Sequence, residues 1–444
     1  MRIRNWGGMM SGFFEGTALD YYDAGSVDLQ SRWDAVADWW NARLEAGIDP
    51  YQKITSDRIS PLVKGSYRDG TVFSGLNFAS QEYLSLASHP EIVEAAIYAA
   101  RHYGCHSAGS ATLMGNTDLS VQLERRLAEY LGYKDCLVFP IGWAAGYGAV
   151  KTLVRKHDHV VIDALAHACL QEGAADATPN VHRFPHLSTD GVERRLRAIR
   201  ATDTRCGILV VTETLFSMDS DTPDVRPLVR LCREYDATLL VDAAHDLGVY
   251  GAGGRGILEE QGILNEVDVI VGSFSKTFAS TGGFVVTNSR GFRFGLRGGC
   301  GPSTFTNAMT PVQSAVVLAA LDIVESPEGD ERRARVLRNA DMLRSGLAEA
   351  GFKVIGRASP IVPVLLGDAH IARLMTKFSI EMGGIVNLVE HPAVSANRCR
   401  WRLQVMADHR ERQIVEFVEI ARRSRERALE EASILSTAND RVAS

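Results

Sequence analysis

Between Cys136 and Thr287 the chain alternates short, nearly unbroken apolar runs with longer amphipathic segments. Cys136 to Phe139, Val160 to Asp163, Gly207 to Thr212, Thr238 to Asp242, Val267 to Gly272 and Gly283 to Thr287 have strand length. Ala144 to Arg155, His167 to Ala175, Val192 to Ala201 and Val225 to Tyr235 have helical length and spacing. A strand covered on both faces needs apolar side chains on both, and a parallel neighbour needs a crossover, usually a helix. The alternation therefore predicts an α/β fold, a mostly parallel sheet with helices on its faces.

The flanks read differently. Ser31 to Gly47 carries Trp33, Val36, Trp39, Trp40 and Leu44 near helical spacing, with Gly47 as a stop. Val72 to Phe78 reads as a strand, and His89-Pro90 opens a helix to about Tyr103, before another from Leu119 to Leu131. Pro311 begins a change of texture: long helices, shorter strands (Ile361 to Leu366, Arg400 to Val405) and a last helix from Glu411 to Leu429. We expect an N-terminal arm and helix over 1–75, a large domain over 76–310 and a smaller α+β domain over 311–444. Phe13, Phe14, Tyr21 and Tyr22 make the arm aromatic, suited to packing on its own body or on a second subunit.

A formal net charge of -6 gives no electrostatic reason to expect nucleic acid or an anionic membrane as partner. No apolar stretch approaches the roughly 18 residues of a membrane span, and Met1 to Gly25 lacks a signal-peptide core. Seven scattered cysteines without a C-x-x-C pair point to reduced thiols in a cytoplasmic protein and to no metal site.

Chemistry-bearing residues gather where the strand runs end. Asp242 closes one run, in Val241-Asp-Ala-Ala-His-Asp; Lys276 follows another, in Val271-Gly-Ser-Phe-Ser-Lys-Thr. The carboxyl ends of parallel strands are where such sheets place ligands. A lysine can form a Schiff base with pyridoxal phosphate, and a carboxylate can keep that cofactor's ring nitrogen protonated. Lys276 and Asp242 are the candidates for these roles. His245 is placed to reach the ring hydroxyl and His167 to stack on the ring. Gly142, between a strand and a helix, offers backbone amides to the phosphate, beside the hydroxyls of Ser273 and Ser275. Each residue alone has a bland explanation as loop, cap or core residue. Their joint order has few.

With these pieces the chain resembles the α-oxoamine synthase family of fold-type I pyridoxal phosphate enzymes, over roughly Trp33 to Ala428. The likeness extends to Asn77-Phe-Ala-Ser-Gln-Glu-Tyr-Leu-Ser-Leu, Glu213-Thr-Leu-Phe-Ser-Met-Asp, Gly254-Arg-Gly, Thr281-Gly-Gly-Phe and Phe305-Thr-Asn-Ala-Met-Thr-Pro. It implies a seven-stranded, mostly parallel sheet, and a homodimer whose active sites are shared. It also implies phosphate contacts from Gly142 and Trp143, a cofactor-site role for Glu213, and Thr306 reaching the neighbouring subunit's phosphate. Arg402, in Arg402-Leu-Gln-Val-Met-Ala-Asp-His, is implied as the anchor of the substrate carboxylate, which its bidentate fork suits. The implied reaction is a decarboxylating condensation of a small α-amino acid with an acyl thioester, carried by coenzyme A or an acyl-carrier protein. An aminotransferase, a carbon–carbon lyase or a non-catalytic partner subunit are the alternatives; Lys276 argues against the last. Three departures stand out: Ala243 replaces the usual Glu of Asp-Glu-Ala-His, Glu82-Tyr-Leu-Ser replaces Asn/Asp-Tyr-Leu-Gly, and the segment from Gly109-Ser110 lacks an arginine some members carry. Glu82 and Ser110 fall in substrate-facing regions, which points to a member from specialised metabolism.

Overall fold

The structure is a computed structural model that describes the backbone of residues 16–442 and the side chains of residues 16–434. The chain divides into two compact units, residues 81–335 and a second unit that joins residues up to 80 with those from 336.

The first unit is built on seven strands: β1 (Asp135–Phe139), β2 (His159–Asp163), β3 (Val181–Phe184), β4 (Ile208–Glu213), β5 (Thr238–Asp242), β6 (Val269–Ser273) and β7 (Gly283–Thr287). Their order across the sheet is β1-β7-β6-β5-β4-β2-β3. The ladders from β6 through β3 are parallel, whereas β7 runs antiparallel to both β6 and β1. Val160, Val161 and Ile162 of β2 and Val210 and Val211 of β4 are fully buried, as strands covered on both faces must be. The covering helices have identifiable local causes. Asp118–Leu131 is capped by Thr117, whose hydroxyl accepts the Ser120 N–H, and stops at left-handed Gly132. Pro311–Val324 starts with proline after a capping box made by Thr310 and Gln313. That helix and the chain to residue 335 belong with the sheet, whereas the sequence reading placed the boundary near 310.

In the second unit, strands Lys353–Val354, Ile361–Gly367, Cys399–Gln404 and Leu388–Val389 form an antiparallel sheet. Ile54–Thr55, Leu62–Ser66, Val72–Asn77 and Gly384–Ile385 form another, so the residues before 80 pair with the C-terminal ones. Glu390 lies between two buried guanidiniums, 3.1 Å from Arg43 and 2.8 Å from Arg373, and Arg43 also covers the Trp39 ring at 4.6 Å. Tyr21 of the aromatic arm stacks on Trp39 at 5.3 Å and Tyr22 meets Trp33 edge-on at 4.9 Å; Phe13 and Phe14 lie outside the described residues. No described helix is long and apolar enough to cross a membrane.

Candidate active site

Register sets the site. Glu213 pairs with Asp242, Asp242 with Val271, and Ser273 with Gly283, which in turn pairs with Phe139. The carboxyl ends of β4, β5, β6 and β1 therefore share one edge of the sheet. A cavity of about 280 Å³ opens there and is lined by Gly142, Trp143, His167, Asp242, His245, Ser273, Ser275 and Lys276.

Each lining residue is held by local structure. The loop from Ser273 to Gly282 leaves β6 and returns as β7, closed by a Phe274 N–H to Gly282 carbonyl bond of 3.0 Å. Phe274 and Phe278 are fully buried and meet edge-on at 5.9 Å, so the loop is pinned on both sides of Lys276. Beyond β5 the chain turns through His245. The neighbouring Asp246 is fully buried and ties down that turn. One carboxyl oxygen accepts the Thr214 hydroxyl and the other the Ile257 N–H, each at 2.6 Å. Burial pushes the Asp246 carboxyl up to about 7 despite these bonds.

The helix Gly142–Leu153 follows β1 with Ile141 as its N-cap, so no side chain caps its first amides. Gly142 and Trp143 of its first turn line the same cavity as the Ser273 and Ser275 hydroxyls, which are 2.8 Å apart. A Cβ at Gly142 would come within 2.7 Å of both Cβ and Oγ of Ser273, so only glycine lets the helix start this close to β6. His167, read from sequence as the first helical residue, is the N-cap of Ala168–Ala177. Its ring meets Trp143 edge-on at 5.9 Å, and its backbone N–H donates to Glu213 at 2.6 Å.

Asp242 and Glu213 put two carboxyls at neighbouring strand ends. Burial raises both, and their mutual repulsion raises Glu213 further; the Lys276 ammonium pulls both back toward the charged form. A further positive charge beside Asp242 would favour its charged form. Oδ1 of Asp242 already accepts the Ala244 N–H at 2.9 Å.

The other sequence candidates are not among the residues that line this cavity. Thr306 is exposed and donates its hydroxyl to the Pro302 carbonyl at 2.6 Å, beside Phe305, which is 88% exposed. The buried Glu82 spends one carboxylate oxygen on its own turn, accepting from the Leu86 and Ala87 amides at 2.7 and 3.0 Å. Ser110 is buried and its Oγ has no hydrogen-bond partner among the described residues. Arg402 is buried in the second unit, on strand Cys399–Gln404, with its N–H bonded to the Asn387 carbonyl at 3.0 Å.

Residues that sequence reasoning passed over also meet at this sheet edge. Cys169 lines the cavity two positions after His167. His186 bridges Asp163 and Asp221 at 2.9 and 3.1 Å; burial opposes its charge, but the two carboxylates raise it to about 10. At the other end of β2, His159, Asp203 and Cys206 offer ligand atoms within 4.8 Å of one another. All three are engaged already: His159 Nδ1 lies 2.8 Å from His182 Nε2, Asp203 accepts two loop amides, and the Cys206 thiol faces the Asp203 carbonyl at 3.6 Å.

Comparison with known proteins agrees with this geometry. A family model described as aminotransferase class I and II matches residues 74–420. The 8-amino-7-oxononanoate synthase of Geobacter metallireducens is 36% identical over 359 residues, 80% of this chain and 91% of that protein. A serine palmitoyltransferase of Caulobacter vibrioides is 34% identical over 383 residues, covering 86% and 92%. The solved structure of Sphingomonas wittichii serine palmitoyltransferase superposes with a TM-score of 0.84 at 28% identity, over 90% of this chain and 99% of that one. Both named activities fall within one group, so the chain belongs to the aminotransferase class I and II family and, within it, to the α-oxoamine synthases.

Proposed function

We propose that this protein is a pyridoxal-phosphate-dependent acyltransferase that condenses a small α-amino acid with an acyl thioester, releasing CO₂ and leaving an α-amino ketone. The observation that carries this reading is the convergence of Lys276, Asp242, His167 and His245 on one cavity at the strand ends. The cavity suits the cofactor: uncapped helix amides and two hydroxyls for a phosphate, and a buried carboxyl that a cationic ring nitrogen would ionise. A solved relative is described as serine palmitoyltransferase with pyridoxal phosphate.

When bound, pyridoxal phosphate supplies an aldehyde for an amine and a ring that takes up the electrons of a carbanion. Lys276 would hold the aldehyde through its Nζ and, when that amine is free, would be the base that takes the α-proton. Asp242 keeps the ring nitrogen charged; Glu213, bonded to the His167 backbone, braces that residue. His167 would cover the ring, His245 would serve its hydroxyl, and Gly142, Trp143, Ser273 and Ser275 would hold the phosphate. In the net reaction a bond forms between the amino acid's α-carbon and the acyl carbonyl carbon as the thiol is released and the carboxyl group leaves as CO₂; Lys276 would hold and return the α-proton. Arg402 anchors the carboxylate until then, while Glu82 and Ser110 shape substrate choice.

We assign the active form to a homodimer in which Thr306 serves the partner's phosphate site. The apolar side chains of Leu113, Met114 and Phe305, between 83% and 88% exposed, support a covered surface there. All seven cysteines are free, which favours a reducing, cytoplasmic setting. The test is mass spectrometry of products from a panel of amino acids, each offered with acyl-coenzyme A and with acyl-carrier-protein thioesters. An α-amino ketone with loss of CO₂ is expected. Amino-group transfer to a keto acid without any thioester would replace this reading with an aminotransferase.

A further inference from the structure

The environment of the His167 ring restricts its protonation state. Its Nδ1 accepts the backbone N–H of Cys169 at 3.3 Å and lies 3.1 Å from the Cys169 Sγ. A backbone N–H can only donate, so Nδ1 presents its lone pair. Burial, with Asp242 and Glu213 nearby, pushes the thiol well above its ordinary range, so the sulfur keeps its proton and is a second donor to the same nitrogen. With Nδ1 an acceptor, the proton of the neutral ring sits on Nε2.

The sulfur has little freedom to leave. Cys169 is 3% exposed, and a Cβ on Gly146 of the neighbouring helix would lie 2.6 Å from Sγ. Glycine at 146 thus makes the room that the sulfur fills. The ring is bounded on another side by the Trp143 edge.

We propose that Cys169 is a positioning residue that fixes both the rotation and the tautomer of His167, leaving Nε2–H as a hydrogen-bond donor towards the cavity. A neutral donor in this place can meet an anionic or carbonyl acceptor without adding a second cation beside Lys276. The role deepens the reading given under Proposed function and rests on it, because His167 matters only if the cavity holds the cofactor.

The experiment uses the pyridoxal-phosphate-loaded enzyme labelled with ¹⁵N-histidine, with His167 assigned through a His167→Asn variant. Nitrogen shifts report which ring atom carries the proton, and need neither amino acid nor thioester. We expect a protonated Nε2 and a bare Nδ1 in the unmodified enzyme and in Cys169→Ser, whose hydroxyl also donates. Cys169→Ala keeps the backbone N–H that sets the tautomer but loses the thiol, so it should free the ring's rotation, alter the circular dichroism of the bound cofactor and lower kcat/KM by about tenfold, the scale of one lost hydrogen bond; Cys169→Ser should rescue both. A protonated Nδ1 in the unmodified enzyme would overturn the proposal, whatever the variants do. So would a Cys169→Ala enzyme matching the parent in dichroism and kinetics. Failure of the broader reading is distinguishable, since it would appear as absence of cofactor on Lys276.

Discussion

Gly142→Ala should weaken cofactor binding through the backbone alone. The added Cβ would sit 2.7 Å from Ser273 Cβ and Oγ and 3.4 Å from its Cα. Carbon atoms at optimal contact are about 3.5–4.0 Å apart, so the helix start and β6 must separate by about 1 Å. Overpacking of this kind costs about 1–3 kcal/mol. The same movement draws the first helix amides away from the Ser273 and Ser275 hydroxyls, so the cost falls on the phosphate site. If affinity carried the whole of it, the cofactor dissociation constant would rise by about 5- to 150-fold. Titration of the apo protein with pyridoxal phosphate, followed by fluorescence, measures this; apo thermal unfolding shows any share taken by the fold. A second substitution, Ser273→Gly, removes both clashing atoms and should recover part of the loss despite the missing hydroxyl. Parent-like cofactor affinity in Gly142→Ala would refute the claim that close helix approach builds the phosphate site.

Asp242→Asn should keep the fold yet lose on the order of a hundredfold or more in α-proton exchange, as when a preorganised electrostatic group is removed; a near-normal exchange rate would sink the electron-sink role. Thr306→Glu should repel the partner's phosphate, and exchange of its subunits with Lys276→Ala should restore activity, because one site of each hybrid then carries neither lesion; persistent inactivity despite demonstrated exchange would exclude shared sites. The raised pKa of His186 means that its bridge to Asp163 and Asp221 stabilises the fold fully below the ordinary histidine value of 6.5 and loses that contribution as pH rises through about 10. His186→Gln should therefore cost on the order of 2–4 kcal/mol near pH 6, allowing for its partial exposure, and progressively less in alkali. Denaturant unfolding across that range tests the sign, and a deficit that grows with pH would contradict it.

The sheet was legible because burial on both faces leaves unbroken apolar runs, and the strand-end residues Asp242 and Lys276 followed from those runs. Strand β3 was not: Val181-His-Arg-Phe lies at the sheet's edge and carries polar side chains, so it lacks the signal of a central strand. The break near 310 misled for a related reason. Pro311 starts a new helix, but local sequence says nothing about which surface that helix packs on, and it packs with the sheet unit. The joining of residues before 80 to the C-terminal part depends on pairing Val72–Asn77 with Gly384–Ile385, a contact that no local pattern encodes. Glu82 read from sequence as lying in a substrate-facing region; local pattern did not show that one of its oxygens serves its own turn. Cys169 was passed over because a cysteine in an apolar helix reads as core; only the geometry sets its sulfur beside His167.

The central claim is that Lys276 carries the cofactor. Reduction of the holoenzyme with borohydride, followed by proteolysis and peptide mass spectrometry, locates the attachment directly. The account predicts the reduced pyridoxyl group on the peptide containing Ser275-Lys276-Thr277, and none on the Lys276→Ala protein. The label on any other lysine, or an unlabelled Lys276 in enzyme that turns over, would contradict it.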